Sequence, residues 1–472
     1  MGDTDLTFRT ALSLAASIRS KELSPVELMD ACLTRVDELN DRVNAVIWRD
    51  DEEARAAARA AEDALVKGRP DELPPFHGVP IPIKDLTSVA GWPVTYGSRV
   101  APEGVSEEDE LIVGAFRRAG FLLAGRTNTP EFGPITAAEN LRYGLSRNPW
   151  NLDHTPGGSS GGAAAATAAG MFPLAHGNDG GGSIRIPASC CGLVGLKVSR
   201  GRVPKLVNSW EGGAVEGVLT RDVADTAAVL DLISQPDRGA WYNAPAPERP
   251  FVEEVGADPG RLRIGLLEQA PFGLPIDPAC TEAARAAAAV LEGLGHRVEP
   301  VTYEVPEDFL GAFLNVVNSG LADYEDIDWE GAEPHIRLYR ARAQGVDSLA
   351  YVRAVHALQR FTRQVTSRWG AEFDLLLSPT MTIPPPRAGE ILEAVHGGGE
   401  GGPALQVFQM AVLTSGFNMT GQPAISLPTH IDGDNLPIGV QLVAGPWEEA
   451  LLLRISSQLE QAVGWVDRRP GL

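Results

Sequence analysis

Two serines set among glycines constrain this chain more than any other feature. Gly157-Gly158-Ser159-Ser160-Gly161-Gly162 runs into the alanine-rich stretch Ala163–Ala169, and Asp179-Gly180-Gly181-Gly182-Ser183 follows, its serine 24 positions after Ser159. Glycines on both sides of a serine leave the backbone N–H groups bare and let another molecule approach closely. The first cluster leads straight into strong helix formers, so it opens a helix rather than joining domains. A phosphate loop would need a lysine after the last glycine, and Ala163 stands there. Gly157–Gly161 also matches the G-x-S-x-G elbow, which requires a buried strand directly before it. The preceding Asn151-Leu152-Asp153-His154-Thr155-Pro156 is polar and broken by proline. An α/β-hydrolase-type esterase using Ser159 therefore ranks second.

The base is sought among lysines and histidines. Lys84 closes the apolar run Val79-Pro80-Ile81-Pro82-Ile83, where partial desolvation lowers a lysine pKa and makes the amine a base. His154 and His176 lie near the serines, but no histidine stands in a metal or triad spacing; His77, His356 and His396 read as structural or solvated. Lys21 and Lys67 lie in charged surroundings, which leaves Lys197, after Gly192-Leu193-Val194-Gly195-Leu196, as the internal competitor. The pattern is that of a serine hydrolase using lysine where most use histidine.

Length and charge bound the rest. With 472 residues and 44% hydrophobic content the chain can bury a sizeable core. A net charge of −22 argues against nucleic acid or an anionic membrane as partner, since both favour a positive face. No apolar run reaches about 18 residues, and Ala11–Ile18 reads as a first helix rather than a signal-peptide core, its upstream flank carrying Asp3 and Asp5. Cys32, Cys190, Cys191 and Cys280 show no metal spacing and read as reduced, buried thiols of a cytoplasmic protein.

Ser24-Pro25-Val26-Glu27 is a capping box that opens a helix to about Leu39, and a second, mostly solvent-facing helix spans roughly Glu52–Val66. Strands are expected at Val79–Ile83, Phe121–Ala124, Phe172–Ala175, Arg263–Leu267, Leu375–Leu377, Ala424–Leu427 and Ile438–Val443. Helices are expected near Glu108–Arg118, Ser160–Ala169, Thr220–Ser234, Pro278–Leu294, Ser348–Arg368 and Trp447–Ala462. Such alternation signals an α/β fold with a largely parallel sheet covered on both sides. Gln235–Pro259 and the glycine-rich Pro384–Pro403 look like loop insertions, the second a surface connection or a lid.

From Gly78 to Arg200 the chain resembles the amidase signature family. The resemblance rests on Gly78–Asp85, Gly125–Phe132, Ser146–Trp150, Gly157–Gly162, Asp179–Pro187 and Cys191–Lys197, with weaker similarity at Gln422–Pro428 and Pro437–Gln441. It implies one α/β/α domain over residues 1–472, built on a large mixed, twisted sheet with helices on both faces. It also implies Ser183 as nucleophile, Ser159 as bridging serine after a cis peptide bond, and Lys84 as general base. The backbone N–H groups of Gly180, Gly181, Gly182 and Ser183 would form the oxyanion hole. Ser160, Asp179 and Arg185 would support the site, without metal or cofactor.

Three departures stand out: Gly180 where Thr or Ile is common, which would open the loop; Val198 in place of a proline, read as neutral; and Ile186 in place of the glutamine of tRNA-dependent amidotransferase subunits, which argues against that role. The run His176–Ser189 resembles the branch of 6-aminohexanoate cyclic dimer hydrolases, with aryl acylamidases and urethanases in the same superfamily. The expected substrate is a small linear or aryl amide or a carbamate, with a cyclic oligoamide as alternative. Its mostly apolar pocket would be lined from Phe132–Glu139, from around Asn315–Asp326 and from the segment after Pro384. A monomer and a homodimer both fit.

Overall fold

The structure, a computed structural model, describes residues 6–324, 327–397 and 403–472. The capping box forms as expected. Ser24 Oγ accepts the N–H groups of Val26 and Glu27, the Glu27 carboxylate takes the Ser24 N–H, and the helix runs Pro25–Val43. It feeds a three-stranded sheet in which Val46–Trp48 pairs antiparallel, and Pro80–Lys84 parallel, to the central Leu122–Thr127. Two prolines confine Pro80–Lys84 to the edge, because a proline has no N–H to give a second neighbour.

The larger sheet has eight strands in the order Arg297–Val301, Arg263–Leu267, Leu375–Pro379, Pro437–Val443, Ala424–Ile431, Val194–Lys197, Val215–Thr220, Ala175–Asp179. Only the first two of its seven pairings are parallel; the other five are antiparallel. The mixed sheet implied by the family resemblance forms, and the largely parallel one read from the alternation alone is corrected. Apolar periodicity places strands without giving their direction. Ala424–Ile431 returns as Pro437–Val443 through a tight polar turn in which Asp432 Oδ1 accepts the Leu436 N–H at 2.9 Å, with no helix between them.

Along Pro437–Val443 the side chains alternate between two layers. Ile438, Val440 and Leu442 join the core that includes Ala283 and Ala287 of helix Pro278–Gly293 and Leu452 of helix Glu449–Val463. Gly439 and Gln441 face helix Arg185–Cys191, where the Gly439 N–H donates to Ser189 Oγ at 2.8 Å and Gln441 meets Arg185. Helices therefore cover both faces, and the short helix Arg185–Cys191 belongs to the face that carries the serines.

Other boundaries differ in ways that matter for the site. The strand expected at Phe172–Ala175 begins at Ala175 and runs to Asp179, so His176 and Asn178 sit on a strand. Thr220 ends strand Val215–Thr220, and the helix expected from there starts at Val223, capped by Asp222. Pro384–Pro403 contains the helix Glu390–Gly397, not an unstructured loop; its stretch 398–402 lies outside the described residues. All four cysteines are free and buried. No described helix is long and apolar enough to cross a membrane.

Candidate active site

Lys84 reaches the serines because its strand is an edge. Pro80 and Pro82 offer no N–H on the open side, and Lys84, next in the alternation, donates its N–H to His176 Nδ1 at 3.3 Å. That bond puts the imidazole proton on Nε2, which faces Glu216 Oε2 at 3.0 Å, while Glu216 Oε1 accepts from Lys205 Nζ at 2.7 Å. Burial pushes the Glu216 carboxyl up, but the Lys205 charge and the His176 hydrogen bond outweigh it and bring it to about 2.

The Lys84 side chain is fully buried, and its Nζ contacts Ser159 Oγ at 2.8 Å, Ser160 Oγ at 2.9 Å and Asn178 Oδ1 at 2.7 Å. Burial pulls its pKa from 10.5 to about 7, against the opposing charges of Glu216 and Asp179. Lys197 is equally buried and also brought to about 7, so acidity alone cannot choose between the two lysines. Contact does: Lys197 Nζ donates to the Val198 carbonyl at 2.8 Å, whereas Lys84 holds both serines.

Ser159 and Ser160 precede the fully buried helix Gly161–Ala168, and the peptide bond Gly158–Ser159 is cis. The residues before it form no strand, so the elbow reading of Ser159 fails on geometry as well as sequence. Ser160 Oγ donates to the Asn178 carbonyl at 3.2 Å, and the Ser160 N–H donates to the Ser183 carbonyl at 3.2 Å.

The Ser183 loop is held by one buried ion pair. Arg185 Nε donates to Asp179 Oδ2 at 2.9 Å and Nη2 to Oδ1 at 2.9 Å, both side chains lying out of solvent. Asp179 also accepts the N–H groups of Gly182, Ile184 and Arg185 and the Asn418 amide. Burial works to raise the Asp179 pKa, yet the Arg185 charge and these donors hold it well below the usual carboxylate range. Arg185 goes on to Thr414 O, Gln441 Oε1 and Asn418 Oδ1, which anchors the loop to the carboxy-terminal third of the chain.

Two expectations are corrected here. The Gly182 N–H is held by Asp179 Oδ1 at 2.9 Å and cannot also face an oxyanion, which leaves Gly180, Gly181 and Ser183 as candidate donors. Gly180 does not make the loop more open. A Cβ there would lie 2.1 Å from Trp210 Cζ3, so the indole fills the space a larger residue would take. A Cβ at Gly320 would meet the same ring at Nε1, 2.4 Å away, so Trp210 is wedged between two glycines.

Residues 27–453 match the model of the Amidase family. The chain belongs to the amidase signature family. It is 39% identical to the 6-aminohexanoate-cyclic-dimer hydrolase of Paenarthrobacter ureafaciens, over 100% of this chain and 98% of the relative. It is 33% identical to the acylamidase of Rhodococcus erythropolis, over 100% and 98%. A solved structure of 6-aminohexanoate cyclic dimer hydrolase complexed with substrate superposes with a TM-score of 0.90 at 37% identity, covering 98% of this chain and 99% of that one.

In this amidase Ser183 opens on two chambers. One, of about 430 Å³, is walled by Ile135, Tyr303, Phe309, Phe313, Phe408 and other apolar side chains. The other, of about 370 Å³, contains Ser159 and Asn178 together with Glu110, Lys205 and Glu216. Gly133, Pro134, Trp210 and Tyr339 border both. The linings from Phe132 onward and around Val317–Tyr324 fall where expected, but the third comes from Leu405–Val412, not from the described part of 384–397.

Sequence reasoning missed Asn178, Trp210 and Asn418. Asn178 carried a readable signal: two places after His176 on one strand, it shares that residue's face. Trp210 and Asn418 come from distant segments, and no local pattern announces them.

Proposed function

We propose that this amide hydrolase cleaves small linear acyl amides, aryl amides and carbamates through Ser183, with Ser159 and Lys84 moving the proton. The hydrogen-bond pattern around Lys84 carries the reading. An uncharged amine has two N–H groups and one lone pair. Asn178 Oδ1 can only accept, and Ser160 gives its own hydrogen to the Asn178 carbonyl, so both take an N–H from Lys84. The lone pair is left for the hydroxyl of Ser159, 2.8 Å away. Passing that proton to Lys84 leaves the other two bonds as they were, so the transfer needs no rearrangement.

Ser183 Oγ attacks the carbonyl carbon as its proton passes to Ser159 and that of Ser159 to Lys84. The oxyanion meets N–H groups drawn from Gly180, Gly181 and Ser183. Collapse breaks the C–N bond, Ser159 returns a proton to the departing nitrogen, and water repeats the sequence on the ester. Because Ser159 lies in the polar chamber, the leaving amine goes there and the acyl group goes to the apolar one. A cyclic diamide would have to occupy both chambers past Trp210, so linear substrates are the better fit.

A series of p-nitroanilides with lengthening acyl chains tests this assignment. Each methylene buried in the apolar chamber is expected to raise kcat/KM by about fourfold, from about 0.8 kcal/mol per CH₂. A series that is flat or falls from acetyl onward overturns it.

Activity should follow the neutral form of Lys84. With its pKa at about 7, kcat/KM falls about tenfold per pH unit on the acid side of that value and levels off above it. Asn178→Asp places an anion beside the amine and stabilises the ammonium. The acid limb should then move to higher pH, a shift that a purely structural effect would not produce.

A further inference from the structure

We propose that Glu333, His335 and His396 bind one divalent transition-metal ion of the zinc type, which ties helix Pro334–Gln344 to helix Glu390–Gly397. One ligand atom from each residue lies within 4.8 Å of the others. Glu333 Oε2 stands 2.9 Å from His396 Nε2 and 3.7 Å from His335 Nδ1, and the two imidazoles are stacked with centroids 5.6 Å apart.

The second observation is independent of this clustering. His335 is 3% exposed, and neither of its ring nitrogens has a hydrogen-bond partner. A buried imidazole with both nitrogens unsatisfied is a costly arrangement for a protein to keep. A proton shared between Glu333 and His396 would serve those two groups and still leave His335 without a partner. A cation within the cluster engages all three residues, taking up one of the two His335 ring nitrogens.

The donors suit such an ion. Two imidazole nitrogens and one carboxylate oxygen are borderline ligands of the kind zinc takes, leaving a fourth position for water. Glu333 Oε1 accepts the Leu141 N–H at 2.7 Å, an outer bond of the sort that orients a carboxylate ligand. Tyr339, one turn beyond His335 and in edge contact with its ring at 5.9 Å, borders both substrate chambers. The ion would therefore stiffen a wall of the active site without touching the reacting atoms.

The test uses the tag-free full chain, stripped with a chelator and titrated with ZnCl₂ or CoCl₂. One equivalent of zinc is expected to survive gel filtration, and Tm should rise by about 3 °C at about a hundredfold excess over Kd. His335→Ala and His396→Ala should each lose the retained zinc and the rise. Cobalt should give saturable visible bands on the wild-type chain, a readout that does not depend on how the variants fold. Absence of saturable uptake by the wild-type chain, or undiminished uptake by both variants, overturns the proposal. Neither readout involves amide hydrolysis, so the site stands or falls separately from the catalytic reading.

Discussion

Lys84→Ala is expected to lower kcat/KM by about 10⁴-fold, and Lys84→Arg should be no better. General-base catalysis contributes up to about 10⁴-fold, and members of a proton relay act as one unit. An arginine keeps the positive charge and some of the packing, but it has no neutral form at any working pH and cannot receive the Ser159 proton. The arginine variant therefore separates a base from a cation that merely holds the two serines in place. Substrate binding depends on chambers lined mainly by other residues, so the loss should fall on kcat more than on KM. Steady-state kinetics of both variants on the preferred anilide checks this.

Asp179→Ala should cost about 3–5 kcal/mol of folding stability, because it leaves the Arg185 guanidinium buried without its counter-charge. The same change removes the acceptor of three backbone N–H groups in the Ser183 loop. The Gly182 N–H would then be released toward solvent or substrate, and the chain around Ser183 would lose its fixed shape. Urea unfolding followed by tryptophan fluorescence measures the first effect. Asp179→Asn keeps the shape and one of the two acceptor oxygens, so its stability should fall between those of the parent and Asp179→Ala. A variant as stable as the parent would show that the pair is not what holds the loop.

Much of this site was legible in the sequence because its chemistry lies in short segments. Lys84, Ser159, Ser160, Asp179, Ser183 and Arg185 each carry a local signal: a lysine closing an apolar run, serines in glycine, charges flanking the second glycine-serine loop. Their convergence needed the fold, since Lys84 lies 75 positions from Ser159 and on a different sheet from Asp179. What stayed hidden depends on direction or distance. Strand polarity is not written in apolar alternation, which by itself read the sheet as largely parallel; the mixed sheet came from the family resemblance. Trp210 fills the room above Gly180 from a kinked segment with φ of 56°, and a glycine by itself does not show whether the space beside it is empty or taken. Asn418 and Gln441 grip Arg185 from more than two hundred positions away.

Ser183, not Ser159, is expected to become covalently attached to the acyl group. Labelling with a fluorophosphonate and mapping the modified peptide by mass spectrometry reads this directly. The adduct should appear on Ser183 in the parent chain, with much slower labelling in Lys84→Ala. An adduct on Ser159, or none on an enzyme that still turns over amides, would contradict this.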